Sequence, residues 1–215
     1  QPNESRSSIF TGNGLQKSST TIMHSTNRKF SNMHRNNTAP RYIEKSKAKK
    51  IIENLPKNLK KVGVFVNEDI NKIKNIVGYC NIDLAQLSGD EDRDYVLNLK
   101  NIVHKRVIKS FRIRNRDDIK NIKDYKLEYV MLDSFKKGLY GGTGTKFDLR
   151  LAKYIEYIDK RRLFLAGGLN AVNVKSAINN IRPYAVDVCS SIEDYPGKKD
   201  LEKMKEFIEA ARWNH

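Results

Sequence analysis

Cysteine is nearly absent from this chain. Cys80 and Cys189 are the only two, far apart and outside any CxxC pair, which excludes a disulfide framework and a cysteine-based zinc site and fits a reducing, cytoplasmic setting. The four histidines, His24, His34, His104 and His215, are scattered without HxxxH spacing, so no metal or other cofactor is expected. No run of about 18 apolar residues occurs, and the N-terminus lacks the apolar core of a signal peptide, so no membrane partner is expected. A GxGxxG fingerprint is also missing. Acidic residues are few, 25 against 41 Lys and Arg, leaving a formal charge of +16. Such a balance ordinarily points to nucleic acid. Here, however, the basic residues are dispersed among asparagines, as in KKVGVFVNEDINKIKNIV at 60–77, and form no block interleaved with aromatics. They read as a solvated lysine-rich surface that attracts an anionic substrate. An RNA-binding basic protein is the remote alternative; no nucleic-acid partner is expected.

The chain divides by composition into residues 1–39 and 40–215. The first segment holds seven Ser, six Asn and five Thr, only eight apolar residues, and no sustained periodicity; Thr20–His24 is its best strand candidate, and a weak one. On composition it is a loop, a disordered tail or a scrambled start. Beyond it, short β-branched runs alternate with amphipathic segments. The runs are Val62–Val66, Leu84–Leu87, Arg106–Ser110, Tyr129–Asp133, Arg162–Ala166 and Tyr184–Val188, with starts separated by 22, 22, 23, 33 and 22 residues. Helical spacing joins Ala48, Ile51, Ile52 and Leu55, then Leu151, Ile155 and Ile158, then Leu201, Met204, Ile208 and Ala211. Strict alternation means a parallel sheet with helices outside. The constant repeat favours a (β/α)8 TIM barrel over an open doubly wound sheet. Six strands are legible where eight are needed, so the first βα unit and second strand are degenerate or replaced. Without them the barrel would expose two sheet edges.

In such a barrel, function gathers where strands end. Gly167-Gly168 follows one strand and Ser190-Ser191 the next, a pair of small-residue turns whose N–H groups can approach a phosphate, although Gly-Gly alone is also an ordinary turn. Asp133 ends its strand, as a catalytic acid or a helix-capping residue would. The segment Ser134–Lys146, with Gly141, Gly142, Thr143 and Gly144, lengthens one repeat and has the freedom of a lid or of a surface loop.

The segments APRYI (39–43), VGVFVN (62–67), AQLSGDE (85–91), MLDS (131–134), YGGTGTKFD (140–148), LAGGLN (165–170) and AVDVCSSIEDYPGKKD (185–200) follow one another as in phosphoribosylanthranilate isomerase, a (β/α)8 barrel of tryptophan biosynthesis that this chain resembles over about residues 39–212. The resemblance implies an Amadori rearrangement of N-(5-phosphoribosyl)anthranilate to 1-(2-carboxyphenylamino)-1-deoxyribulose 5-phosphate, by general acid and base without a cofactor. It implies Asp133 as general acid, Arg41 on the anthranilate carboxylate, Gly167, Gly168, Ser190 and Ser191 on the phosphate, Asp187 orienting substrate hydroxyls or loop backbone, and Gly141–Gly144 in the lid. The partner is then a small phosphorylated substrate, and the protein a monomer or homodimer. Three departures stand out. The family's general-base cysteine, in a first strand close to KICGIT, is not found, and Cys189 is the only cysteine near the active face. DVCSSIE replaces the usual DVSSGVE, putting Ser191 where glycine is usual; a positive φ there would cost about 1 kcal/mol or more. Ser88 stands where many relatives carry histidine. The competing reading is a catalytically impaired phosphate-binding barrel remnant lacking its base.

Overall fold

The computed structural model of the protein describes residues 9–11, 20–24, 42–112, 122, 125–133 and 158–212, the first two segments as backbone only. Eight strands close into a barrel: β1 (Ile9–Thr11), β2 (Thr20–His24), β3 (Lys61–Phe65), β4 (Leu84–Leu87), β5 (Arg106–Arg112), β6 (Tyr129–Asp133), β7 (Leu163–Ala166) and β8 (Ala185–Val188), each bonded to the next and β1 to β8. The six strands legible in the sequence are all present within two residues of their expected ends. The barrel expectation holds.

The two strands missing from the sequence count lie in the Ser/Asn/Thr-rich segment. The weak candidate Thr20–His24 is β2, pairing in parallel with β3 from Thr21↔Lys61 to His24↔Val64. β1 departs from the (β/α)8 pattern, because it runs antiparallel to both neighbours, with Phe10 opposite Thr20 on one side and Asp187 on the other. Chain length explains the direction. Only the eight residues 12–19 separate β1 from β2, too few for the crossover of a dozen or more that parallel neighbours need. The short β1 thereby pairs the edges that β2 and β8 would otherwise leave open.

Alternation along the strands produces two apolar layers. Val62, Val64, Ile108, Tyr129, Met131, Phe164, Ala166 and Ala185 fill the interior. Phe65, Leu87, Val107, Leu132, Leu165 and Val186 face outward against the helices. Among the described residues those helices are α1 (Lys45–Glu53), α2 (Ile70–Tyr79), α3 (Arg93–Val103), α4 (Val174–Ile181) and α5 (Leu201–Ala211). Each turns apolar residues at three- and four-residue spacing to the core, buried as a stripe in α3 by Val96, Leu99 and Val103 and half-buried in α1 as Ile51 and Ile52 beside the buried Ala48. Carboxylates start four of them: Glu44 accepts from Ser46 N, Asp69 from Lys72 N, Asp92 from Tyr95 N, and Asp200 from Glu202 N and Lys203 N. At the N-terminal end of the barrel Tyr129, Phe164 and Tyr184 cluster with ring centroids 5.3 to 5.6 Å apart. This aromatic plug leaves the C-terminal strand ends as the face on which polar groups gather.

Candidate active site

The ends of β6, β7 and β8 supply most of the candidate residues. Asp133 is the last residue of β6 and is registered against Ala166 at the end of β7. Burial raises the affinity of its carboxyl for a proton, opposed by the Arg112 guanidinium one strand away. Gly167 and Gly168 follow β7 with φ of 88° and 67°, a conformation that side chains other than glycine adopt only with strain. A Cβ at Gly168 would meet nothing within 4 Å, so backbone conformation and not space calls for glycine there. The turn that follows is locked by its own side chains: Asn170 Oδ1 accepts from Val172 N and Asn173 N, Asn173 Oδ1 accepts from Asn170 N, and Asn173 Nδ2 donates to the Gly168 carbonyl at 2.9 Å.

After β8 the chain makes one 3₁₀ turn, Ser190–Ile192. Ser190 and Ser191 are exposed there, and Ser191 Oγ donates to the Leu169 carbonyl at 2.5 Å, tying the two small-residue turns together. A short antiparallel hairpin, β9 (Glu193–Tyr195) and β10 (Lys198–Lys199), brings Lys199 back beneath the end of β8. Lys199 Nζ lies 3.0 Å from Glu193 Oε1, both side chains being less than a tenth exposed, and it donates to the Cys189 carbonyl at 2.9 Å. Cys189 Sγ sits 3.6 Å from the same ammonium and 3.9 Å from Glu193 Oε1.

Asp187, within β8, is half-buried as a residue while its Oδ1 is fully enclosed. Burial, with the neighbouring Asp133 carboxylate, pushes its pKa up to about 7 against the pull of Lys199. On the opposite wall Gln86 Nε2 donates to Ser88 Oγ at 3.0 Å and contacts Met131 Sδ at 3.5 Å. Arg41 and the segment 134–146, with Gly141, Gly142, Thr143 and Gly144, lie outside the described residues.

The family model for N-(5'-phosphoribosyl)anthranilate isomerase matches residues 12–210. The chain belongs to the phosphoribosylanthranilate isomerase family. A Bacillus cereus (strain AH187) protein named N-(5'-phosphoribosyl)anthranilate isomerase is 43% identical over 172 residues, covering 80% of this chain and 82% of the relative. The crystal structure of phosphoribosylanthranilate isomerase from Thermotoga maritima superposes with a TM-score of 0.73 at 34% identity, covering 88% of this chain and 87% of that one. A phosphoribosylanthranilate isomerase in complex with reduced 1-(o-carboxyphenylamino)-1-deoxyribulose 5-phosphate gives 0.71 at 32%, covering 88% and 86%. Another Thermotoga structure is of monomers generated from the dimeric enzyme.

Two departures from the phosphoribosylanthranilate isomerase pattern acquire a physical meaning. Ser191 is absent from the positive-φ residues, so serine carries no backbone penalty at this position, and its hydroxyl adds a bond that glycine lacks. Ser88 accepts from Gln86. Sequence reasoning missed two buried ion pairs. Lys199–Glu193 was hidden in a charged surface hairpin. Lys109 and Glu91 meet at 3.0 Å with side chains 4% and 1% exposed, and Glu91 also accepts from Asn67 N and Gly89 N. The one available signal was a lysine inside the apolar run RVIKS. Together these contacts tie the loops after β3 and β4 to strand β5, and Gly89 fits because a Cβ would lie 2.7 Å from the Asn67 nitrogen.

Proposed function

We propose that this chain isomerises N-(5'-phosphoribosyl)anthranilate, with Asp133 as general acid and the turns Gly167-Gly168 and Ser190-Ser191 holding the phosphate. One observation carries the reading: in a family member, a carboxyl group whose burial favours its protonated form stands on the same strand-end face as two small-residue turns bonded to each other. Asp133 gives its proton to the furanose oxygen, the nitrogen lone pair forms C1=N as the C1–O bond breaks, and loss of the C2 proton then leads to the aminoketose. Asp187 meets substrate hydroxyls. Arg41 pairs with the anthranilate carboxylate, for which its planar fork suits, and Gly141–Gly144 belong to a lid that excludes water.

Residues 1–39, atypical in composition, stand in place of the first βα unit and supply β1 and β2, while residues 40–215 carry the other six strands of the barrel. The working form is a monomer or homodimer in the cytoplasm; among the described residues no helix is long and apolar enough to cross a membrane.

The second reading, a phosphate-binding barrel that has lost the reaction, is favoured by the lack of any cysteine in β1, which reads Ile9-Phe10-Thr11. Turnover of the fluorescent substrate separates the two. Isomerisation that falls at least about 100-fold in Asp133→Asn supports the first. Binding of a product analogue without turnover supports the second.

A further inference from the structure

Asp133 and Asp187 occupy one level of the barrel interior. Asp133 is registered against Ala166, and Leu165 against Val186, so the next residue pair along β7 and β8 sets Ala166 beside Asp187. Register partners in parallel strands face the same way, and Met131, Ala166 and Ala185 place that face inside the barrel. Only a methyl group therefore stands between the two carboxylates on the intervening strand. Asp187 Oδ1 is buried and has no hydrogen-bond partner among the described residues, a condition it shares only with Gln86 Oε1. Leaving a buried acceptor open costs free energy that a donor on a bound ligand would recover.

Among the described residues two charged groups act on this pair. Lys199 on β10 acts on Asp187, Arg112 on β5 acts on Asp133, and β7 brings no titratable group between them. The cysteines are poorly placed to take a proton from carbon. Cys80 is buried at the end of α2, its Sγ against the Lys45 carbonyl on the outside of the barrel. Cys189 follows β8, its Sγ within reach of the Lys199–Glu193 pair. β1 offers isoleucine, phenylalanine and threonine.

We propose that Asp187 is the general base of the isomerisation and forms with Asp133 a two-carboxylate pair that works with one proton between them. The inference rests on the isomerase reading above. Asp133 protonates the ring oxygen as C1=N forms. The Asp187 carboxylate takes the C2 proton, the C2–H electrons form C1=C2, and the C1=N pair returns to nitrogen. The resulting enol becomes the ketone by gaining a proton at C1 and losing one from its hydroxyl, so atoms balance and no redox partner is consumed. In the free protein burial and the neighbouring Asp133 carboxylate favour a proton on Asp187, whose pKa they push up to about 7. A substrate hydroxyl donating to the open Oδ1 favours the ionised form of Asp187, and covering the site desolvates Asp133. Substrate binding thus moves the proton onto the acid and frees the base.

The test compares the full chain with Asp187→Asn and Asp187→Glu. It follows turnover between pH 5 and 9, the isotope effect of substrate deuterated at C2, and binding of the reduced product analogue. In the wild type kcat/KM is greatest where the free pair holds one proton and falls as the pH rises through about 7, where that proton is lost. Asp187→Asn is expected to bind the analogue within about threefold and lose about 100- to 10,000-fold in kcat, the range of a lost acid–base group. Asp187→Glu, which keeps the carboxylate, retains the limb at reduced rate and decides the matter if the asparagine variant fails to fold. Asp187→Asn within tenfold of wild type overturns the proposal. So does a loss confined to Cys189→Ala, or a wild type that binds the analogue without turnover. A wild type that neither binds nor reacts removes the isomerase reading itself.

Discussion

Ser191 Oγ donates to the Leu169 carbonyl at 2.5 Å, and this single bond joins the turn after β8 to the turn after β7. Serine stands here where the family usually has glycine, so the cradle is tied by a side chain and not only by backbone. Ser191→Ala is expected to cost about 0.5–1.5 kcal/mol of stability, the net worth of one such bond. It should also raise KM several-fold while leaving kcat within about twofold, because the bond shapes a binding turn and touches no reacting atom. Steady-state kinetics and urea unfolding read both. A fall in kcat with unchanged KM would assign Ser191 another role.

The Lys109–Glu91 pair predicts a different pattern. Both side chains are almost fully enclosed, and Glu91 also holds the Asn67 and Gly89 amides. Lys109→Met leaves that carboxylate buried without its counter-charge and is expected to cost about 3–5 kcal/mol. Replacing both partners with apolar residues should recover part of the ion-pair loss but not the two amide contacts. Equilibrium denaturation of the single and double variants measures the difference; a loss below about 1 kcal/mol in Lys109→Met would mean the pair is hydrated.

Asp187 ties stability to pH. Its folded pKa, about 7, lies above the ordinary value of 3.8. Its contribution to stability is therefore greatest below about pH 4 and is lost as the pH rises toward 7. Asp187→Asn removes this dependence. At pH 8 the variant is expected to be more stable than wild type by about 1–3 kcal/mol, the relief of a buried charge less the burden of a partnerless amide. Near pH 4 that advantage should vanish. Equal differences at both pH values in thermal melts would show that Asp187 is ionised at little cost.

How much of this was legible depended on the strength of each local pattern. The alternation of Val62–Val66 or Tyr129–Asp133 with amphipathic helices carries a barrel unaided, because a strand buried on both faces must be apolar. Asp133 and the Gly167-Gly168 turn were legible for a related reason: polar and small residues interrupt apolar strands where the strands end. β1 and β2 were faint because Ile9–Thr11 and Thr20–His24 are short and set among serine and asparagine. Their place comes from pairing across the closed barrel, a non-local effect. The antiparallel course of β1 followed from an eight-residue connection that means nothing until both strands are known. The proximity of Asp187 to Asp133 required the register of three strands, and the Lys199–Glu193 pair required a hairpin that composition presents as surface charge.

The central claim is that this barrel isomerises a phosphoribosylated anthranilate through the carboxyl group of Asp133. The most direct measurement is the loss of substrate fluorescence with the purified full chain beside its Asp133→Asn variant, both shown to bind the reduced product analogue. The account predicts measurable turnover by the wild type and a fall of about 100-fold or more in the variant at similar affinity. Equal rates in the two proteins, or analogue binding with no turnover in either, would contradict it.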